Sequence, residues 1–548
     1  MPSFNLVEQA WIPCLMIGSG EPRELSLQDT LTCAYEVREI FDNSPLVTVA
    51  LHRLLLAILH RNFGPRSFNE WKELWRRGKW DSDVIIQYLQ TWQHRFELFD
   101  ETRPFYQSPR LQKAGKEKKR SQTAAQETVE DVDLHPVALL AHEAATGNNA
   151  TLFDHSFKEL PEPYSPVTAA RYLLARQAFS IGFGKSSPFY FQDSTLVRGS
   201  TVLALGNNLF ETLVLNLLPY SEQRPITQQG NDLPIWEQET PEQPDENGTV
   251  AKGYLDYLTW QSRRIHLIPE GDPPVVRYCQ MQQNLRLADE PEIHDPFKCY
   301  RKDEKLGWQP LPLNPTKALW RDSHTLFQES NGSHKRLEVF NHLARINTAR
   351  RHGEIEAKPK YAFAVYGFAT EIGKAASVIL WSRERLPLPL AYLNEPKLVD
   401  VLEQALKLAQ EIAEPLRKGI RLLAKLLLAP LSDAPQSRQP DEKDVSRLTA
   451  SFGADRVYWS RLEANFKRLL VDLPEEYREI EDTTQPSYQA LTLWARQLDA
   501  TARDAFTIVI NSLSGSARDL KAAAEAERYF NLLMSQTRKS YSYLFPIK

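Results

Sequence analysis

Amphipathic helices over residues 389–548 constrain the fold of this chain more than any other feature. Apolar side chains recur there at steps of three and four residues, which places them along one face of a helix. Four such stripes follow one another: Leu398, Val401, Ala405, Ala409, Ile412, Leu416, Ile420, Leu423 and Leu427; Trp459, Leu462, Phe466 and Leu469; Leu491, Trp494, Leu498, Thr501, Ala505 and Val509; and Leu520, Ala524, Phe530 and Leu533. Successive amphipathic helices joined by loops predict an antiparallel four-helix bundle.

Two local signals refine the bundle. Pro415 lies inside the first stripe and predicts a kink, because proline cannot donate the backbone hydrogen bond of a helix. Ser516 and Asp519 stand three residues apart before the fourth stripe, which is the spacing of a capping box. The fourth helix is therefore expected to begin directly after Ser516.

Residues 1–388 follow a different pattern. Helical stretches at 46–60 and 166–179 alternate with strand-like runs at 200–205 and 361–365, and prolines at 387, 389 and 396 separate this region from the bundle. The sequence thus predicts an α+β chain with a large, irregular mixed domain over 1–388, followed by the four-helix bundle over 389–548.

Size and charge exclude several classes of protein. A chain of 548 residues is too long for one ordinary core, and 66 basic residues against 70 acidic ones exclude a histone-like polycation. Four scattered cysteines indicate a reducing compartment. The first residues lack a basic region that leads into an apolar one, and stretches such as 420–428 are too short to span a membrane. We expect a cytoplasmic protein without membrane contact.

A glycine-rich segment raises three alternatives. Gly184-Lys185-Ser186 matches the end of a phosphate-binding P-loop, but the glycine required five positions before Gly184 is Phe179. The preceding segment also has a helical pattern, whereas a P-loop follows a strand. The segment is therefore an ATPase site, a plain surface turn, or a glycine-lined loop whose backbone approaches a narrow groove.

Two polar stretches, 110–133 and 221–248, interrupt the mixed region. The first carries a run of basic side chains: Lys113, Lys116, Lys118, Lys119 and Arg120. Such a run forms a solvated loop or a flexible arm that follows phosphates. The second stretch is rich in Pro, Gln and Glu and is predicted to be a surface excursion.

Groupings of metal-ligating residues lack the tight spacing of a structural zinc site. His135, His142, Glu143, Asp154 and His155 form one loose set, and Cys279, His294 and Cys299 form another. We predict no metal and no cofactor. The sequence also contains no nucleophile elbow, zinc-protease helix or kinase signature, and so predicts no catalytic residues.

Several segments, in this order, resemble the CasA family, the large subunit of the type I-E CRISPR surveillance complex Cascade. They are Phe4-Asn5-Leu6-Val7 with Trp11-Ile12-Pro13, Pro104-Phe105-Tyr106-Gln107, Gly147-Asn148-Asn149-Ala150-Thr151-Leu152-Phe153-Asp154-His155, Gly182-Phe183-Gly184, Val197-Arg198-Gly199, Tyr366-Gly367-Phe368-Ala369-Thr370 and Trp381-Ser382-Arg383-Glu384-Arg385-Leu386-Pro387-Leu388-Pro389. Their shared order, followed by a four-helix bundle, covers nearly the whole chain.

The resemblance implies a non-catalytic DNA reader. In the family, the amino-terminal domain reads the protospacer-adjacent motif (PAM) of double-stranded DNA from the minor groove and helps to start unwinding. Implied partners are CRISPR RNA, the subunit that caps the guide-RNA handle, the backbone subunits, a dimer of small subunits bound through the bundle, and a recruited helicase–nuclease.

Site residues follow from the same resemblance. Gly182, Phe183 and Gly184 match the PAM-reading glycine loop, with Lys185 beside it. Asn149, Thr151, Leu152 and Phe153 match the loop that contacts the guide-RNA handle and docks on a neighbouring subunit. The wedge hairpin corresponds to about 370–375 and includes Thr370, Glu371, Gly373 and Lys374. The family's usual polar pair with glutamine is absent, and Glu371, Ile372, Gly373 and Lys374 stand in its place. The groove-reading lysine has no clear counterpart, and Arg277 and Arg286 are the nearest basic residues.

Two other functions stay open. A nucleotide-binding enzyme that uses Gly184-Lys185-Ser186 would bind a nucleotide with magnesium. A helical scaffold without nucleic-acid function would show no salt-dependent DNA binding.

Overall fold

The computed structural model describes residues 2–111, 133–143, 161–182, 189–239, 243–288, 290, 293–314, 316–356, 361–370, 378–429, 440–479 and 488–545. It divides into two compact units. The first comprises residues 1–318 and 329–385, and the second comprises 319–328 and 386–548. The short segment 319–328 thus belongs to the second unit, although it lies well before the boundary expected at residue 388.

Small antiparallel sheets form the β-structure of the described residues. The strands are β1 Ile12–Met16, β2 Pro22–Leu25, β3 Val37–Ile40, β4 Leu134–Pro136, β5 Thr201–Leu205, β6 Arg263–Glu270, β7 Val275–Gln283, β8 Tyr300–Asp303, β9 Gly307–Pro310, β10 His334–Lys335, β11 Ala362–Thr370 and β12 Val378–Pro387. They pair in the orders β2-β1-β3, β4-β7-β6, β10-β8-β9 and β12-β11-β5. Strands β5 and β11 confirm the strand predictions at 200–205 and 361–365.

The helices are α1 Leu27–Thr32, α2 Pro45–Phe63, α3 Phe68–Arg77, α4 Ser82–Trp92, α5 Pro166–Phe179, α6 Leu209–Asn216, α7 Tyr254–Leu258, α8 His324–Phe327, α9 Glu338–Arg351, α10 Pro396–Leu428, α11 Glu442–Ser451, α12 Ala454–Glu479, α13 Gln489–Asn511 and α14 Ala517–Ser540. The mixed α+β region followed by packed helices α10–α14 confirms the predicted fold class. Helices α2 and α5 confirm the helices expected at 46–60 and 166–179.

Helix α2 forms the centre of the first unit. Every residue from Pro45 to His60 is buried, because the helix is apolar around most of its circumference. Ser44 caps it by accepting a hydrogen bond from the Val47 backbone N–H. By length and composition alone α2 is able to cross a membrane, but 83% of its apolar window is buried against other parts of the protein. It is therefore a core helix of this unit.

The second unit contains the four long helices that the stripes predict. Polar tips of buried aromatic side chains join them, since Trp494 Nε1 donates to the Ala405 carbonyl at 2.9 Å and Tyr458 Oη donates to the Ala409 carbonyl at 2.8 Å. Trp320, from the inserted segment, is 1% exposed and stacks on Phe466 with ring centroids 4.8 Å apart. The described helices also include the short α11, which buries only Val445 fully and so has no stripe.

Two local predictions had different outcomes. The Ser516 side chain accepts a hydrogen bond from the Asp519 backbone N–H at 3.1 Å, which confirms the predicted start of the fourth helix. The prediction that 221–248 is a surface excursion is wrong for part of that stretch. Trp236 is 4% exposed and packs on Phe96, and Glu237 is buried and pairs with Arg61 at 2.9 Å.

Candidate nucleic-acid interface

The predicted glycine loop lies between two chain segments of the first unit that are hydrogen-bonded to each other. We call these segments the loop neck (residues 178–182 and 192–196). Helix α5 ends at Phe179, and the chain then returns alongside itself. The Ser194 N–H donates to the Ser180 carbonyl at 2.8 Å, and the Leu196 N–H donates to the Ala178 carbonyl at 3.0 Å. Gly182 is therefore the last described residue before the loop, while Phe183, Gly184 and Lys185 lie outside the described residues.

Arg263 of β6 holds both sides of the loop neck. Its Nη2 donates to the Ile181 carbonyl at 3.1 Å and to the Gln192 carbonyl at 2.7 Å. Its Nη1 donates to Gln283 Oε1 at 3.1 Å, and that same oxygen accepts the Gln192 N–H at 2.8 Å. The side chain is fully buried, and burial lowers the pKa of its guanidinium to about 9, so it stays charged at neutral pH. One buried cation thus clasps the two chain segments that flank the loop.

Gly182 is required by close packing within the loop neck. Its N–H donates to Asp193 Oδ1 at 2.7 Å. A Cβ at this position would lie 2.6 Å from the Asp193 nitrogen and 2.7 Å from the Gln192 carbonyl carbon, both of them backbone atoms. Because backbone cannot swing aside as a side chain can, any other residue would force the two sides of the neck apart.

Two further basic residues, Arg198 and Lys298, contact the loop neck and the chain that follows it. Asp193 Oδ2 accepts a hydrogen bond from Arg198 Nε at 2.8 Å, and the Arg198 side chain is 73% exposed. Buried Lys298 donates to the carbonyls of Thr195 at 3.1 Å and Arg198 at 2.6 Å. Burial lowers the pKa of Lys298 to about 8. Together with Arg263, these contacts fix the chain from the neck to the start of β5.

The predicted wedge falls in the segment between β11 and β12, which are neighbouring strands of one sheet. Thr370 ends β11, and Glu371, Gly373 and Lys374 lie outside the described residues. Arg383 of β12 holds the base of the hairpin, because its Nη2 donates to Glu39 Oε2 at 2.6 Å and its guanidinium lies 5.1 Å from the Phe41 ring centroid.

The end of β11 and the chain that enters β5 from the loop neck lie at the same end of the β12-β11-β5 sheet. Tyr366 pairs with Thr201 in antiparallel register, and a Cβ on Gly367 would lie 3.6 Å from the Gly199 carbonyl oxygen. Since β5 and β11 run in opposite directions, the chain that approaches Thr370 runs beside the chain that comes from the neck. Two segments separated by about 170 residues in the sequence are therefore neighbours.

Other predicted residues lie elsewhere or outside the described residues. Asn149, Thr151, Leu152 and Phe153 lie outside them, as do Lys113, Lys116, Lys118, Lys119 and Arg120. Arg277 donates to the Pro161 carbonyl at 3.0 Å, and Arg286 donates to the Glu246 carbonyl at 3.2 Å. Both of these arginines thus make contacts within the protein.

The alternative chemistries find no support in the described residues. The segment before Gly182 is helix α5, not the strand that a P-loop needs. In the part of the chain that the structure describes, no three His, Cys, Asp or Glu residues are grouped to hold a metal ion. His135 and Cys279 face each other across β4 and β7, while Cys299 lies 3.9 Å from His334.

Sequence reasoning missed Arg263, Gln283, Asp193 and Lys298. None belongs to a recognisable motif, and a single arginine or lysine in a strand or loop is usually exposed. Their role follows only from the fold, which brings β6 and β7 against the loop neck.

Comparison with known proteins identifies the wider family. A model of the CRISPR-associated protein Cse1 family matches residues 5–505. A CRISPR-associated protein CasA/Cse1 of Thermus thermophilus is 31% identical over 546 residues, which cover 98% of each chain. The crystal structure of a Thermus thermophilus CasA has a TM-score of 0.74 at 28% identity and covers 97% of this chain and 99% of that one. A chain of a CRISPR RNA-guided surveillance complex shares the fold, with a TM-score of 0.70 at 20% identity and coverage of 97% and 100%.

Proposed function

The chain belongs to the CRISPR-associated Cse1 (CasA) family, and on that premise we propose that it is the large subunit of a type I-E, RNA-guided surveillance complex. Within that complex it recognises the PAM of double-stranded DNA through the minor groove, helps to start duplex unwinding and recruits a helicase–nuclease. It acts in the cytoplasm and is itself not catalytic.

The observation that carries this proposal is that the chain entering β5 from the loop neck lies beside the end of β11. A PAM reader has to grip a duplex and separate its strands at the adjoining base pair. A Cβ on Gly367 would lie 3.6 Å from the carbonyl oxygen of Gly199, three residues after the loop neck, and this proximity supports contact of one DNA segment with both the glycine loop and the segment after Thr370.

Glycine at the loop suits a narrow groove. The minor groove of B-DNA is about 6 Å wide, so backbone without side chains enters it most easily. We assign groove contact to Gly182, Phe183, Gly184 and Lys185, and strand separation to Thr370, Glu371, Gly373 and Lys374. Because A·T and T·A pairs look alike from the minor groove, the protein should tolerate several related PAMs.

Contacts with the other subunits and the guide RNA complete the proposal. The loop with Asn149, Thr151, Leu152 and Phe153 contacts the guide-RNA handle and the subunit that caps it. The bundle of α10–α14 binds the dimer of small subunits. The basic residues from Lys113 to Arg120 follow DNA phosphates, where each contact adds salt-dependent affinity.

The test is the affinity of the reconstituted complex for target duplexes with and without a PAM. Gly184→Asp adds bulk and a negative charge, and should abolish most of the difference between the two duplexes. Gly332→Asp is the matched control, because that exposed glycine has no atom within 4 Å of an added Cβ. Equal PAM discrimination by wild type and Gly184→Asp would remove this loop from the recognition surface.

A further inference from the structure

A second candidate site lies on the other face of the β6–β7 ribbon. Arg263 pairs with Gln283, and Arg264 pairs with Gln282. Because successive side chains of a strand point to opposite faces, the first pair reaches the loop neck and the second lines a separate cleft of about 390 Å³. We call this space the arginine cleft. Its other walls come from residues 102–111, from 235–239 and from Gln243.

Positive charge dominates the lining of the arginine cleft. Four arginines (Arg95, Arg103, Arg110 and Arg264) line it together with one carboxylate, that of Glu239. Among the described residues, Arg95, Arg103 and Arg264 form no ion pair with an acid. Burial and the neighbouring Arg103 lower the pKa of Arg95. Asp100 and Glu239 partly offset the charge of Arg95, whose guanidinium also donates to the Trp236 and Gln238 carbonyls, so Arg103 and Arg264 are the groups best placed to bind an anion.

Amide side chains lie beside the arginines. Gln261 is 7% exposed and lines the cleft, yet its side-chain amide has no hydrogen-bond partner among the described residues. Gln282 and Asn284 lie next to it in the lining. A carboxamide offers one donor and one acceptor side by side, which matches the edge of an unpaired nucleic-acid base. The Gln261 amide is not among the polar atoms that are fully shielded from solvent, so it reaches the open space of the cleft, where the edge of a ligand can bind it.

The aromatic wall of the cleft is held in a strained conformation. Tyr106 has a φ of 55°, and it is the one described residue other than glycine with a positive φ. Its ring contacts Phe105, with centroids 4.8 Å apart, and Trp236, with centroids 6.3 Å apart. The next residue, Gln107, is held in place by two hydrogen bonds of its side chain, which donates to the Leu98 carbonyl at 2.7 Å and accepts from the Leu267 N–H at 2.8 Å. Backbone strain of this kind persists where neighbours impose it, often at a ligand site.

We propose that the arginine cleft binds a nucleotide, with its phosphate on the guanidinium groups and its base edge on Gln261. A volume of about 390 Å³ lies within the range of small-ligand sites. The nucleotide is either free or one unit of a single strand, because pairing in a duplex hides the edge that Gln261 would bind. The inference does not depend on PAM reading, since Arg264 and Gln282 face away from the loop neck.

Photo-cross-linking of the full-length protein tests this site. The probes are 4-thio-UMP and a single-stranded oligonucleotide of about eight residues that carries one 4-thiouridine. We expect cross-links in residues 102–111, 235–239 or 261–264, located by mass spectrometry. Labelling by 4-thio-UMP assigns the site to free nucleotides, and labelling by the oligonucleotide alone assigns it to a single strand.

Variants separate the two parts of the site. Arg103→Gln/Arg264→Gln should lower the cross-linking yield about tenfold and reduce the salt slope by about two, because two phosphate contacts are lost. Gln261→Leu should lower the yield without changing that slope. Arg77→Gln/Lys79→Gln is the control, since it removes the same charge from exposed residues at the end of α3. Absence of cross-links at the cleft, or equal yields in all folded variants, would overturn the proposal.

Discussion

Replacing Arg263 by lysine isolates the contribution of the loop neck to DNA recognition. Lysine keeps the positive charge, but one ammonium cannot bridge the carbonyls of Ile181 and Gln192 while also reaching Gln283, as the planar guanidinium does. The variant should therefore keep its fold and lose at least one charge-assisted hydrogen bond, worth about 1.5–3 kcal/mol.

That energy determines the expected loss of PAM affinity. In the wild type, the hydrogen bonds of Arg263 hold both segments of the loop neck in place before DNA binds. When one bond is missing, part of that ordering has to take place on binding, which weakens PAM-dependent affinity about 10- to 100-fold. Affinity for a duplex without a PAM should change little, because it depends on phosphate contacts that do not need an ordered loop.

The assay compares the two affinities in the reconstituted complex, and Arg95→Lys is its control. Arg95 is also buried and also bridges two backbone carbonyls, those of Trp236 at 3.0 Å and Gln238 at 2.9 Å. Both variants should melt at lower temperature, but only Arg263→Lys should lose PAM discrimination. If the two variants discriminate equally well while folded, Arg263 does not position the loop.

Three further predictions test the charge, the pH response and the domain organisation. Lys185→Ala should weaken DNA binding evenly across sequences and lower the salt slope by about one, as measured by titration at several salt concentrations. Burial lowers the pKa of His342 to about 3, so only the unfolded state takes up the proton as pH falls from 6.5 toward 3, and the fold loses stability. Between pH 6.5 and 5, the free energy of unfolding measured in urea should therefore fall by about 2 kcal/mol more for wild type than for His342→Phe. A fragment of residues 1–388 should fold but expose Trp320, which packs on Phe466 of the missing bundle. Replacing 319–328 in this fragment by a glycine–serine linker should therefore reduce its aggregation, measured by light scattering. A fragment that is unfolded by circular dichroism would contradict the existence of two separate cores.

The sequence predicted best those parts in which one helix face or a whole helix is apolar. Helix α2 was predicted within three residues because its apolar run is long and continuous, and the bundle helices were predicted from their stripes. Helix α11 was missed because a ten-residue helix that fully buries only Val445 produces no periodic pattern. The stretch 221–248 was misjudged because its Pro, Gln and Glu content hides a few scattered buried residues, among them Ile226 and Trp236.

The candidate site also contains residues that the sequence could predict and residues that it could not. Resemblance of short motifs pointed to Gly182 and Thr370, and the fold brings the chain between the loop neck and β5 beside the end of β11. Arg263 was not predictable, because its burial depends on carbonyls of a segment about 70 to 80 residues away in the chain. The sequence states which residues are charged, whereas the fold decides which of those charges are buried.

The register of the β6–β7 ribbon connects the two proposed sites. Arg263 pairs with Gln283 on the neck side, and Arg264 pairs with Gln282 on the cleft side. A shift by one residue in either strand would move every side chain of that strand to the opposite face. A shift of β6 would remove the Arg263 guanidinium from the loop neck and Arg264 from the cleft. A shift of β7 would remove from the neck the Gln283 oxygen that accepts from Arg263 and Gln192, and would remove Gln282 from the cleft. A change that slips this register should therefore impair PAM discrimination and nucleotide binding together, whereas Arg263→Lys and Gln261→Leu should each impair one of them.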